Sequence, residues 1–294
     1  MPHHTDSDSN NLWTFNHANI VPPRSGRRIK DAIQGDLVAE HRFYGTVMPA
    51  DISHEQLKTL EPNQWLSADL CTFYCYEVGN SYLEGAPGRT EDLVVLHART
   101  WDLGRWTKGY PRSARLPGAT PVFEHKYIVF PGNDSDTHFF LCIIVNASDL
   151  LLERNPQGPV RTIVLILNSL RGLPPIDPGL KIQRILTCLA EGRQLREHEL
   201  SNITVYQPLV VQQPNYYDCG LYPGHFLSVF LGAPEAYTAH CMGEMPFDGP
   251  AEVVWKHDQV KSARRWLKAL VLAFMEIRQA ALDFNTDIPL PRNM

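Results

Sequence analysis

The chain has 294 residues, 44% of them hydrophobic and 20% charged, with 27 basic and 32 acidic side chains and a formal net charge of −5. Such a chain buries about three quarters of its unfolded surface without needing staples. The composition excludes a coiled coil, a collagen and a disordered chain, and the charge gives no argument for nucleic acid as a partner.

Residues 1–36 are polar without sustained apolar periodicity and read as a mobile arm. Its basic cluster, Arg24, Arg27, Arg28 and Lys30, reads first as a solvated charge run and second as a nuclear-import signal. No basic segment precedes an apolar one at the N-terminus, so no secretory signal is expected. No apolar run reaches 18 residues, so neither a membrane span nor a membrane partner is expected. Six cysteines are too few for a disulfide scaffold, and reduced thiols in a nuclear or cytoplasmic protein are expected. Residues 37–286 read as one compact domain, expected to be monomeric, and 287–294 as a short tail.

Ser53 and Gln56 have capping-box spacing just before Leu57 and Leu60, which predicts a helix that Pro62 stops. Ser67 caps a second helix, with Leu70, Cys71, Tyr74 and Val78 at helical spacing and Gly79 as its expected stop. Strands are predicted at Leu93–His97, Tyr127–Phe130, Phe139–Val145, Thr162–Leu167 and Ile203–Tyr206. Two of these, FFLCIIV and TIVLIL, are nearly continuous apolar runs, as strands covered on both faces are. An amphipathic helix is predicted near Leu180–Leu195. A longer helix near the end of the chain carries Val260, Ala263, Leu267, Leu270, Val271, Phe274 and Ile277 on one stripe. The fold class is therefore α+β, a central sheet flanked by helices.

Cysteine chemistry is the informative part. Cys71 and Cys75 share a helix face, but no second pair of ligands follows, so core packing is favoured over a metal site and no metal is expected. Cys142 and Cys188 sit on apolar faces and read as structural, while Cys241 has no clear place. Cys219 differs. Pro214 and Asn215 signal a turn before it, Gly220 follows, and an apolar helical run begins near Phe226. Pro223 suits a first helical turn. Cys219 is thus placed near a helix N-terminus, where dipole and free N–H groups favour a thiolate.

A nucleophilic thiol needs a base, and the base an orienting group. His138 opens the FFLCIIV strand after a turn-rich segment, and Asn168 ends the next apolar strand. Gln213, six residues before Cys219, has a side-chain N–H suited to join the Cys219 backbone N–H as an oxyanion donor. Each residue alone has a plain structural reading: a strand edge, a turn, a polar loop. Their ordered set does not.

With these residues placed, the chain resembles the ubiquitin-like-protein-specific cysteine proteases, the SUMO (sentrin) protease family, over about residues 50–230. LKTLEPNQWLSADLCTFY, RWTKG, YIVFPGN with THFFLCIIV, LILNSL and QQPNYYDCGLY resemble the family blocks in family order, the last almost letter for letter. The resemblance implies a papain-like architecture of the adenain and SUMO-protease type, with 37–286 as its catalytic domain. It implies cleavage after the C-terminal Gly-Gly of a ubiquitin-like modifier, by way of an acyl-enzyme and without a cofactor. Cys219 would be nucleophile, His138 base and acid, Asn168 orienter and Gln213 oxyanion donor. Trp65 would roof the channel for the Gly-Gly tail and Phe139 would wall it.

Three residues depart from the family pattern. Phe139 stands where tryptophan is usual, Asn168 where aspartate is usual, and Pro223 where the helix is usually regular. A modifier-binding module without activity is the alternative, and an acyltransferase of the same clan ranks lower because no phosphate cradle is visible. SUMO is the default modifier, with NEDD8 or ubiquitin as alternatives. Glu91, Asp92, Arg99, Arg105, Lys108 and Arg112 are charges available to a partner surface or to plain solvation.

Overall fold

The run His138–Val145, HFFLCIIV, carries no exposed position, and that fixes the architecture: both faces of its strand must be covered. In this computed structural model the described residues are 52–85, 92–105, 122–134, 137–190 and 192–286. The arm expected at 1–36, the tail at 287–294, most of the RWTKG segment, and Glu91, Lys108 and Arg112 lie outside them.

In chain order the helices are α1 (His54–Lys58), α2 (Ala68–Gly85), α3 (Pro178–Leu189), α4 (Glu197–Ser201), α5 (Tyr222–Phe230), α6 (Pro234–Met242), α7 (Ala251–Val254) and α8 (Val260–Thr286). The strands are β1 (Leu93–Val95), β2 (Tyr127–Asp134), β3 (His138–Val145), β4 (Ile163–Leu167) and β5 (Thr204–Tyr206). They form one mixed sheet in the order β1-β2-β3-β4-β5. The three central strands run antiparallel to one another, and each outer strand is parallel to its neighbour.

Side chains along β3 alternate between two cores. Phe139, Leu141, Ile143 and Val145 join the core under α2, α5 and α8. Phe140, Cys142 and Ile144 join the core under α3 and the 3-10 segment Ala98–Arg105. The α+β class and the flanked sheet agree with the sequence expectation.

The capping box of α1 forms as expected, with Ser53 accepting from the Gln56 N–H and the Gln56 side chain returning the bond. Ser67 caps α2 through the Leu70 N–H at 3.3 Å. Gly79, expected as a stop, lies inside α2, which runs on to Gly85. The reason is space rather than termination. A Cβ at Gly79 would stand 2.9 Å from Val95 Cγ2 and 3.1 Å from Leu93 Cδ2, so glycine lets the helix lie against β1. Cys71, Cys75 and Cys142 are buried in apolar surroundings as the sequence indicated, and Cys241 sits on the buried side of α6. Cys188 is half-buried.

Gly224 marks the close approach of α5 to α2, because a Cβ there would meet Tyr74 ring atoms at 2.4–2.6 Å. Tyr74 is fully buried and its ring packs on Trp266 at 5.4 Å, so it has little room to retreat. Alanine would add about 1 kcal/mol of helix propensity. Overpacking of a filled core typically costs about 1–3 kcal/mol. Gly224→Ala is therefore expected to lower the unfolding free energy by a net ~1 kcal/mol, read as a lower urea midpoint with an unchanged slope. A raised midpoint would show that this contact is not tight.

Candidate active site

Four of the residues singled out by sequence come together at one end of the sheet. The ladder pairs Leu141 of β3 with Leu167 of β4. His138 therefore opens one strand near the place where Asn168 leaves the other. Their side chains meet, His138 Nε2 to Asn168 Oδ1, at 2.6 Å. His138 is 2% exposed, so it is not a surface strand-edge residue.

The surrounding hydrogen bonds fix the histidine tautomer. Asn168 Oδ1 also accepts the Leu170 N–H at 2.8 Å, while Asn168 Nδ2 donates to the Leu173 carbonyl at 3.0 Å. An oxygen that already accepts from an amide must accept from the imidazole too. His138 is thus protonated on Nε2 when neutral, and Nδ1 keeps its lone pair. Nδ1 is buried and has no hydrogen-bond partner in the protein.

Cys219 lies in a single 3-10 turn, Cys219–Leu221, which runs directly into α5. Pro223 occupies the first turn of α5, where its missing N–H costs no helical bond. Gly220 permits the turn to press on the start of α2, since a Cβ there would stand 2.6 Å from Leu66 Cβ. Leu66 follows Trp65, whose indole is 56% exposed, whereas Phe139 and Cys219 are buried.

Burial dominates the electrostatics. It pushes the Cys219 thiol above its ordinary pKa, although the backbone N–H groups of Phe139 and Gly220 act toward the thiolate. Burial also holds His138 below the ordinary imidazole value, against the opposing effects of Asn168 and the Asp134 carboxylate. The lowered thiol pKa expected of a cysteine at a helix start is therefore not found. Desolvation outweighs the few N–H groups that face the sulfur. The free site is a neutral thiol beside a neutral imidazole.

Gln213 is buried, and its amide is held on both sides. Its Oε1 accepts from the Ser169 hydroxyl at 2.7 Å, and its Nε2 donates to the Asn215 carbonyl at 2.6 Å. The Gln213 N–H also bonds the Ser169 carbonyl at 2.9 Å. One amide N–H remains for another acceptor.

Sequence reasoning missed two supports. They are Ser169, next to Asn168, and Arg264 on α8, neither of which its sequence context singles out. In the fold, Arg264 donates to the Thr59, Glu61 and Gln64 carbonyls and to Asp218 Oδ1 at 2.8–3.1 Å. It thereby ties the segment before Trp65 to the residue before Cys219. Its polar spacing on an amphipathic helix gave no signal of this.

The charges considered for a partner surface divide. Arg105 pairs with Asp102 at 3.3 Å, and Arg99 is exposed. Among the described residues no group of three or more His, Cys, Asp and Glu is gathered as a metal site needs.

Removing the Ser169 hydroxyl would leave Gln213 Oε1 buried without that donor. An unsatisfied buried acceptor costs about 1–3 kcal/mol. Ser169→Ala is expected to lose stability in that range in urea denaturation, and a loss under ~0.5 kcal/mol would mean that Gln213 finds another donor.

Residues 100–241 match the Ulp1 protease family, C-terminal catalytic domain, and this span contains His138, Asn168, Gln213 and Cys219. Ubiquitin-like-specific protease 2 of Schizosaccharomyces pombe is 24% identical over 271 residues. That alignment takes in 78% of this chain and 41% of the relative, so the chain spans about two fifths of that protein's length. The crystal structure of a de-sumoylating protease has the same fold, with a TM-score of 0.63 and 20% identity over 79% of this chain and 90% of that one. Over residues 100–241 the chain is thus similar to the catalytic domain of the Ulp1 protease family.

Proposed function

We propose that this protein hydrolyses the bond after the C-terminal Gly-Gly of a ubiquitin-like modifier, with SUMO as the modifier, through a thioester at Cys219. The observation that carries this reading is the 2.6 Å bond between His138 Nε2 and Asn168 Oδ1, which leaves Nδ1 as a buried base without a hydrogen-bond partner at the start of β3. The backbone N–H of Phe139, the residue after His138, acts toward the thiolate of Cys219.

In the proposed reaction the thiol attacks the terminal glycine carbonyl and its proton passes to His138 Nδ1. Asn168 holds the ring and accepts its Nε2–H throughout. The carbonyl oxygen, now an oxyanion, takes hydrogen bonds from the Cys219 N–H and the remaining N–H of Gln213. The imidazolium then protonates the leaving amine. Water, deprotonated by His138, releases the modifier from the thioester. The exposed indole of Trp65 and the ring of Phe139 bound the channel for the tail, where glycine's lack of a side chain is the fitting feature.

The names of its relatives support SUMO, one being a de-sumoylating protease and another a ubiquitin-like-specific protease. The test offers SUMO, NEDD8 and ubiquitin carrying a C-terminal thiol-reactive group and reads a mass shift. A covalent SUMO adduct is expected, absent in Cys219→Ala and formed about 100-fold or more slowly in His138→Ala. Adducts with NEDD8 or ubiquitin alone would reassign the modifier. Non-covalent binding without any adduct would replace the protease reading with that of a binding module.

A further inference from the structure

The group bonded to the His138 ring is a neutral amide, so the imidazolium that forms during attack has no carboxylate in contact through Asn168. A half-buried carboxylate stands across from it on the neighbouring strand. Asp134 is the last residue of β2 and pairs directly with His138 across the antiparallel ladder. Directly opposed residues put their side chains on one face of the sheet, with Cβ atoms about 5 Å apart.

Asp134 is held from several directions. Its Oδ1 accepts from Lys181 Nζ of α3 at 2.7 Å, and its Oδ2 accepts the Ile176 N–H at 2.9 Å. Lys181 Nζ also stands 5.0 Å from the centre of the Trp101 ring. Burial disfavours charge on Asp134, but Lys181 and the Ile176 N–H outweigh it and hold the carboxyl below the usual range. Asp134 is therefore ionised at neutral pH. Ile176 and Leu173 belong to the same loop, so one loop is fastened to Asp134 at one point and to Asn168 at another.

We propose that Asp134 is a positioning residue for His138. Its fixed carboxylate favours the imidazolium formed when Cys219 gives up its proton, and the Lys181 charge limits that effect. The inference rests on the reading of His138 as proton acceptor. Other groups facing the ring do not supply the charge. Asn168 from β4 is neutral, and the Cys219 thiol is held protonated. Cys71, which faces Cys219 from α2, is held neutral by burial. Asp218, next to Cys219, is paired with Arg264 at 2.8 Å.

Two variants separate charge from scaffolding. Asp134→Asn keeps an acceptor for the Ile176 N–H and removes the negative charge. Lys181→Met keeps an apolar stem over Trp101 and removes the opposing positive charge, with Lys181→Gln as its substitute if that variant does not fold. The readout is the titration of the His138 imidazole by NMR in the full chain, its resonance assigned with His138→Gln. Loss of a nearby negative charge disfavours the cation, so Asp134→Asn should lower the His138 pKa by about 0.5. Loss of the positive charge should raise it by a similar amount in Lys181→Met.

Both variants break the same salt bridge, so a purely structural role would move both titrations in one direction or neither. Either result overturns the inference. If the protein also forms the SUMO adduct, Asp134→Asn should form it about threefold more slowly, matching the pKa change. Opposite shifts without any adduct would keep the Asp134 assignment and reject the protease reading.

Discussion

The register of β3 between β2 and β4 is the constraint on which the site depends. The pairing of Leu141 with Leu167 brings His138 to Asn168, and the pairing of Asp134 with His138 brings up the carboxylate. A slip of one residue would turn His138 to the other face of the sheet. What prevents the slip is burial rather than the polar contacts. Seven apolar side chains of β3 enter two cores, each contributing about 1.5–3 kcal/mol when removed from water. A typical hydrogen bond contributes only about 1 kcal/mol net. The polar geometry is therefore inherited from the apolar register, and the His138–Asn168 bond is short because both cores place its ends.

The same burial sets the resting state. It raises the Cys219 thiol and lowers His138, so the pair stores no separated charge before substrate enters. A neutral orienting residue suits such a pair, since Asn168 has only to fix the tautomer at rest. In the proposed reaction charge arises during proton transfer, and there the environment must favour imidazolium. Backbone N–H groups facing the sulfur and the carboxylate across the ladder act at that moment without being desolvated by the reaction itself.

Much of this was legible in the chain because the signals are local. The capping box at Ser53 and Gln56, the apolar run of β3 and the Gln213-to-Cys219 segment each carry their meaning within a few residues. Gly79 misled because a glycine that ends a helix and one that admits a neighbouring strand look alike in sequence. Ser169 was missed because its partner, Gln213, lies 44 residues away. The thiol pKa was misjudged because a helix start is readable from residue types, whereas the depth of burial is a property of the assembled fold. α6 lacks the periodicity that makes a helix visible, and it takes its form from packing against the core.

Arg264 is the clearest case of long-range order. It lies about 200 residues from the Gln64 carbonyl it binds and 46 from Asp218. Lysine has three N–H donors on a single nitrogen and cannot reach four separated acceptors, whereas a guanidinium presents five in a plane. The consequence concerns substrate entry. The segment leading to the exposed Trp65 and the turn carrying Cys219 are tied to one cation on α8, and Leu66 packs directly on Gly220. Through α8 the fold joins the segment that leads to a large exposed aromatic to the turn that carries a buried thiol, as the channel proposed above for an extended glycine tail requires.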